Sequence, residues 1–184
     1  MNAAVDDPPA PPEPGTEWVI RQLPITHPDA ALLVAEVQAE YVVRYGGPDS
    51  TPLQPHMFDP PAGAFFVVYD PARDDSGAGS GMRPVATGAW RRRTDVEAFG
   101  STDAAEVKRM FVTASHRGRG LGHVVLAHLE ATARDAGAEV MILETGTAQP
   151  EAMGLYESAG YTSIPGFGHY AWSPKNRCYA KPLR

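Results

Sequence analysis

The sequence predicts a mixed α/β domain, a central sheet flanked by helices, and three stretches carry that expectation. Residues 64–69, Ala-Phe-Phe-Val-Val-Tyr, concentrate aromatic and β-branched side chains and read as the clearest strand of the chain. Residues 140–145, Val-Met-Ile-Leu-Glu-Thr, form a continuous apolar run, the pattern of a strand covered on both faces. Between them, residues 107–112 form an apolar-rich run that breaks at Thr113-Ala114-Ser115. From Leu121 onward Val124, Val125, Leu129 and Ala136 recur at helical steps, so a strand, a glycine-rich turn and a helix follow one another. Strands that alternate with helices around one strand–helix–strand crossover give a layered α/β architecture.

The remaining elements follow in order. Residues 1–15 carry prolines at positions 8, 9, 11, 12 and 14 with little to bury, so they read as a disordered Pro-rich tail, and residues 16–184 as a single domain. Residues 18–23 form a first strand ended by Pro24. His27-Pro28-Asp29 opens a helix with Leu32, Leu33, Ala35, Val37 and Tyr41 on its apolar face, stopped by Gly46-Gly47. Glu40 and Arg44 on that helix are spaced for a surface i, i+4 pair. Residues 48–63 are a Pro-, Asp- and Ser-rich loop, readable as a wall of a substrate pocket or as a hydrophobic cover on the sheet. Residues 71–82 connect the strand at 64–69 to a hairpin partner at 85–92, and residues 105–112 pair next. Gln149 caps a helix whose first turn takes Pro150. Residues 161–164 and 178–181 supply two last strands around the loop Pro165-Gly166-Phe167-Gly168-His169-Tyr170.

Bulk properties exclude several function classes. The 184 residues are 43% hydrophobic and 21% charged, without an apolar run approaching the ~20 residues that span a bilayer. The opening MNAAVDDPP has neither the basic region nor the apolar core of a signal peptide, so a cytoplasmic location and no membrane partner are expected. A net charge of −6 argues against nucleic acid as a partner. Cys178 is the only cysteine and reads as a small buried apolar residue. No metal is expected, because His123 and His128 are five apart on a helix and diverge. Arg91-Arg92-Arg93 reads as a solvated hairpin end, whereas Arg117 and Arg119 sit on a loop shaped for phosphate.

That loop, Arg117-Gly118-Arg119-Gly120-Leu121-Gly122, opens the helix that follows it. The first turn of a helix has unpaired N–H groups and partial positive charge, which suits an anion such as pyrophosphate. A P-loop needs Lys after Gly122, and a dinucleotide fingerprint from Gly118 needs glycine at 123, where His123 stands. Arg-x-x-Gly-x-Gly at Arg117, Gly120 and Gly122 instead resembles the acyl-CoA loop of the GNAT superfamily of N-acetyltransferases. A second stretch, Gln149-Pro-Glu-Ala152-x-x-Leu155-Tyr156-x-x-x-Gly160-Tyr161, is similar to that family's downstream signature. The resemblance spans residues 64–183, with earlier residues matching in layout. It implies a mostly antiparallel central sheet of about six to seven strands flanked by helices, two of them splaying apart to admit CoA.

By the same resemblance, acetyl-CoA is the acyl donor. The main chain of Met110, Phe111 and Val112 would pair with pantetheine, and the segment Arg117, Gly118, Arg119, Gly120, Leu121 and Gly122 would hold the pyrophosphate. Gln149 stands where asparagine usually contacts pantetheine. Acetyl transfer needs a neutral amine, since an ammonium of pKa about 10 has no lone pair, and so a base is required. Glu106 precedes Arg117 by eleven residues, the spacing of the catalytic glutamate in histone-type members. Burial would have to raise its pKa, Lys108 on the same strand would oppose that, and an ion pair at a strand end is the competing reading. Glu144 on the facing strand is the second candidate base. Tyr156 falls where the family places a proton donor for the departing thiolate, and as a helix aromatic it could equally pack against the sheet. His169 is read as an acceptor-site contact. The acceptor is expected to be a small or amino-acid-like primary amine, the alternatives being a protein lysine or N-terminus, or a non-catalytic acyl-CoA sensor. A homodimer through late-strand pairing is compatible with the family.

Overall fold

Strand β2, Gly63–Asp70, shows why its sequence is apolar throughout: Phe65, Val67 and Tyr69 join a core on one face of the sheet, and Phe66 and Val68 one on the other. The structure is a computed structural model and describes residues 18–71 and 81–183. The Pro-rich tail, residues 16 and 17, Arg184 and most of the 71–82 connection lie outside the described residues. The other strands are β1 (Val19–Gln22), β3 (Arg83–Arg93), β4 (Ala104–Val112), β5 (Val140–Gly146), β6 (Thr162–Ile164) and β7 (Asn176–Pro182). They form one seven-stranded sheet in the order β1-β2-β3-β4-β5-β7-β6. Every neighbouring pair is antiparallel except β4 and β5, which the crossover helix makes parallel.

Helices α1 (Pro28–Tyr45), α2 (Leu121–Asp135) and α3 (Pro150–Ser158) cover the two faces. His27 caps α1 by accepting a hydrogen bond from the Asp29 N–H at 3.2 Å, and Gly46 ends the helix in the left-handed conformation at φ 82°. On α1, Ala30, Leu33 and Val37 pack on the β2 face with Phe58 and Phe111. On α2, Leu121, Val125, Leu126, Leu129 and Ala133 pack on Trp90, Ala105 and Met141 of the opposite face. Gly88 permits that docking, since a Cβ there would meet Val125 at 2.7 Å and Leu129 at 3.0 Å.

Two features of β4 prepare the site. Opposite Gly88 the β3–β4 register slips, Thr87 pairing with Phe111 but Ala89 with Lys108, and Arg109 takes a positive φ of 52°. On the other edge, β4 pairs with β5 only through Ala104, Ala105 and Glu106, which face Val140, Met141 and Ile142. Beyond Glu106 the strands part, and β5 runs on along β7 to Gly146.

Candidate active site

The splay leaves the β5-facing backbone of β4 without a ladder partner from Val107 onward. Such an edge is a template for a ligand with amide groups of its own. The edge leads to Arg117-Gly118-Arg119-Gly120, where Gly118 and Gly120 have φ of 73° and 75°. L side chains rarely adopt that conformation, which is why the turn is written in glycine. Helix α2 begins at Leu121 without a side-chain cap, leaving its first N–H groups for an anion. Gly122 lies against α3, a Cβ there standing 3.3 Å from Leu155. These donors fit an extended diamide ended by a pyrophosphate, with Met110, Phe111 and Val112 along the edge and residues 117–122 at its end.

The loop arginines do not point into a common anion cradle. Arg117 donates to the Val112 carbonyl at 3.0 Å, pairs with Glu40 of α1 and lies over the Phe111 ring. Arg119 lies 5.9 Å over Trp18. The Glu40–Arg44 pair is therefore part of a larger network, which Arg117 joins through Glu40 and Glu151 through Arg44. His116 holds the turn before the loop, with Nε2 3.1 Å from Asp70 and Nδ1 3.0 Å from Thr113 Oγ1.

Glu106 and Glu144 occupy opposite electrostatic settings. Glu106 is fully buried, with Oε2 accepting from Arg91 at 2.8 Å and from Arg93 at 2.6 Å. Its Oε1 makes no well-aligned hydrogen bond, but the Lys108 ammonium stands 2.8 Å away. Burial alone would raise its pKa; Lys108, Arg91 and Arg93 outweigh burial and hold the carboxyl below the usual glutamate value. The Arg91 and Arg93 side chains are each only 13% exposed and serve as counter-charges to Glu106, not the solvated hairpin end expected from sequence, while Arg92 between them donates to the Ala136 carbonyl. Glu106 lines no part of the cleft described next.

That cleft, about 370 Å³, opens between the C-terminal end of α1, the loop after it, the end of β5 and the segment before β7. Glu144 lies in its floor with a side chain 7% exposed, accepting from Asn176 at 3.1 Å and 3.5 Å from Lys108. Burial raises the Glu144 pKa, Lys108 opposes the rise and the Glu106 charge adds to it. A recess of about 80 Å³ continues from the cleft between β4 and β5 and reaches Met110 and Tyr156. The Tyr156 phenol is buried, directs its hydroxyl toward Met110 sulfur at 3.9 Å, and is kept protonated by burial. Gln149 heads α3 without a capping hydrogen bond; its side chain instead accepts from Tyr45 at 3.1 Å.

Two loops join above the floor. Asp49 pairs with Arg109 of the β4 bulge and accepts from Thr51 and from Tyr170; against the cost of burial, the Thr51 hydrogen bonds and Arg109 bring its pKa down to about 2. Ser50 meets His169 at 3.2 Å, and its backbone N–H donates to the Tyr170 hydroxyl at 2.8 Å. His169 thus latches one loop to the other, while Tyr170 lines the cleft. Sequence reasoning flagged both loops but not Asp49, Trp172, Lys175 or Asn176. Only the paired Pro/Gly-rich loops hinted at them. Elsewhere, His123 bonds Ser158, and His128 stands edge-on to Phe66. Among the described residues no helix is long and apolar enough to cross a membrane.

Residues 32–161 match the model of the Acetyltransferase (GNAT) family, so the chain belongs to that family. It is 40% identical over 78 residues to an IAA acetyltransferase of Azospirillum brasilense, covering 42% of this chain and 51% of that protein. Over 96 residues it is 35% identical to an N-acetyltransferase of Bacillus subtilis, uncharacterized and named YjcF, covering 52% of this chain and 54% of the relative. The chain thus spans about half the length of these curated relatives. A Klebsiella pneumoniae structure assigned as an acyl-CoA N-acyltransferase superposes with a TM-score of 0.67 at 26% identity, covering 91% of this chain and 98% of that one. The α/β sheet with its parted β4 and β5 is the GNAT fold expected from the two signatures.

Proposed function

We propose that the protein is an acetyl-CoA-dependent N-acetyltransferase that acts on the primary amine of a small acceptor held in the cleft. Its setting would be the cytoplasm. The observation that carries this reading is the junction of recess and cleft: the edge of β4 leads to it from one side, the cleft opens from the other, and Glu144 and Tyr156 flank it. Acetyl-CoA supplies an acetyl thioester, whose carbonyl an amine attacks. Glu144 is the base of this proposal, because it reaches the cleft and its raised pKa suits proton acceptance better than the caged Glu106. Lys108 beside it stabilises the carboxylate form and keeps the pKa from rising so far that the base is always protonated. Tyr156, protonated throughout the neutral range, donates its proton to the leaving sulfur. Backbone amides at the start of α2 hold the pyrophosphate, with Arg117 and Arg119 adding outer charge.

The experiment is a thiol-release assay with acetyl-CoA and a panel of primary amines, paired with calorimetry of CoA binding. Turnover with at least one amine supports the reading. CoA binding without turnover for any free amine or peptide overturns it in favour of an acyl-CoA sensor.

A further inference from the structure

The charges that line the cleft are Asp49, Lys108, Glu144 and Lys175. Three of them are met by the protein: Asp49 by Arg109, and Lys108 by Glu106 and Glu144. Lys175 has no ion-pair partner among the described residues and stands exposed at the rim. Three residues earlier, Trp172 also lines the cleft with 79% of its surface in water, the most exposed large aromatic side chain described. An indole left in water and an unmatched ammonium lining one cleft make a surface that a ligand with an apolar body and a negative end would cover.

Strand register sets the spacing of that ligand. Glu144 pairs with Cys178 on β7, and three residues further on, just past the ends of β5 and β7, the Lys175 carbonyl accepts from the Thr147 N–H at 2.9 Å. Three strand residues span about 10 Å, part of which the lysine's flexible four-carbon stem can recover. An amine meeting Glu144 and an anion meeting Lys175 are therefore separated by several bonds. The α-carboxylate of a simple amino acid is too close to its own amine to serve both.

We infer that the acceptor is a primary amine carrying a carboxylate-type anion at its far end, with a flat apolar body between the two that lies against Trp172. The inference rests on the acceptor amine meeting Glu144, as in the proposed function. A cleft of about 370 Å³ is at the small end for ligand sites, about 300–1,000 Å³, and suits one ring with two short arms.

The probes are 4-(aminomethyl)benzoate and its neutral isostere 4-(aminomethyl)benzamide, titrated calorimetrically into CoA-saturated protein and assayed as acceptors. The benzoate is expected to bind about fivefold more tightly than the benzamide, the upper range for an exposed ion pair. Lys175→Ala should abolish that preference and Lys175→Glu reverse it, with CoA affinity unchanged in both. Trp172→Ala should weaken both probes alike. Equal binding of the two probes, a preference that survives Lys175→Glu, or no binding of either probe overturns the inference. Acetylation of unrelated amines with no benzoate preference would sink only this inference. A Lys175-dependent preference without acetyl transfer to any amine would sink only the enzymatic reading.

Discussion

The paired and the parted halves of the β4–β5 junction each hold one glutamate, and Lys108 touches both at 2.8 Å and 3.5 Å. At the paired end the arginines of β3 join Lys108 around Glu106, so a completely buried carboxyl stays ionised. At the parted end Glu144 shares only Lys108 and an amide, and burial prevails. The residue type and the neighbouring lysine are common to the two; the number of cations within reach differs. What separates a structural carboxylate from a candidate base is thus the local count of counter-charges, which the splay sets by admitting a ligand cleft where a third strand contact would otherwise be.

The largest effect that would sharpen the contrast is on rate. Glu144→Gln and Tyr156→Phe should each lower turnover about 10²–10⁴-fold while leaving acetyl-CoA affinity nearly intact, because their contributions arise in the transition state. Glu144→Gln should also remove the acidic limb of the pH–rate profile, and Tyr156→Phe should keep it. Glu106→Gln should act on stability instead, by about 3 kcal/mol in denaturant unfolding, since among the described residues it removes the one carboxylate that Arg91 pairs with and leaves Lys108 only Glu144 and Arg93 only Asp95. A lowered folded pKa means that the Glu106 contribution is present above the ordinary glutamate pKa and is lost as pH falls through the folded one. Wild-type stability with a missing acidic limb in Glu106→Gln would return the base to Glu106.

Smaller effects lie at the rim of the cleft. Asp49, held at a pKa of about 2 against an ordinary 3.8 with a side chain 15% exposed, should contribute about 2 kcal/mol above pH ~4, lost as pH falls from there toward 2. Asp49→Asn should erase that dependence in acid unfolding. The double change Arg117→Ala and Arg119→Ala should weaken acetyl-CoA binding by about 1.5 kcal/mol, the low end for charged hydrogen bonds, because both side chains already have protein partners. The slightest expected effect is a slope. Between the ordinary glutamate pKa and its raised folded value, native Glu144 keeps a proton that the unfolded chain has released. Stability should therefore fall as pH rises through that window, and Glu144→Gln should lack the fall.

Local pattern determined much of this protein. The apolar runs of β2 and β5, the α2 repeat from Leu121, the Pro150 start of α3 and the glycines at 118 and 120 were legible because each depends on neighbours a few residues away in the chain. The positions of Glu144 on a strand and of Tyr156 on the helix after it were legible in the same way, and the fold brings both to one recess. What the tertiary structure decided is which charges meet. Arg91 and Arg93 come from β3, fifteen and thirteen residues before Glu106, and the hairpin turns them inward onto it. Arg109 reaches Asp49, sixty residues earlier, only through a bulge with positive φ that no residue pattern announces. Arg91 and Arg93 read as solvated, and the cations around Glu106 went unseen beyond Lys108, because composition records the charges but not their distances. Coulomb energy and desolvation depend on those distances and on burial, and both are set when the sheet and its helices close around the site.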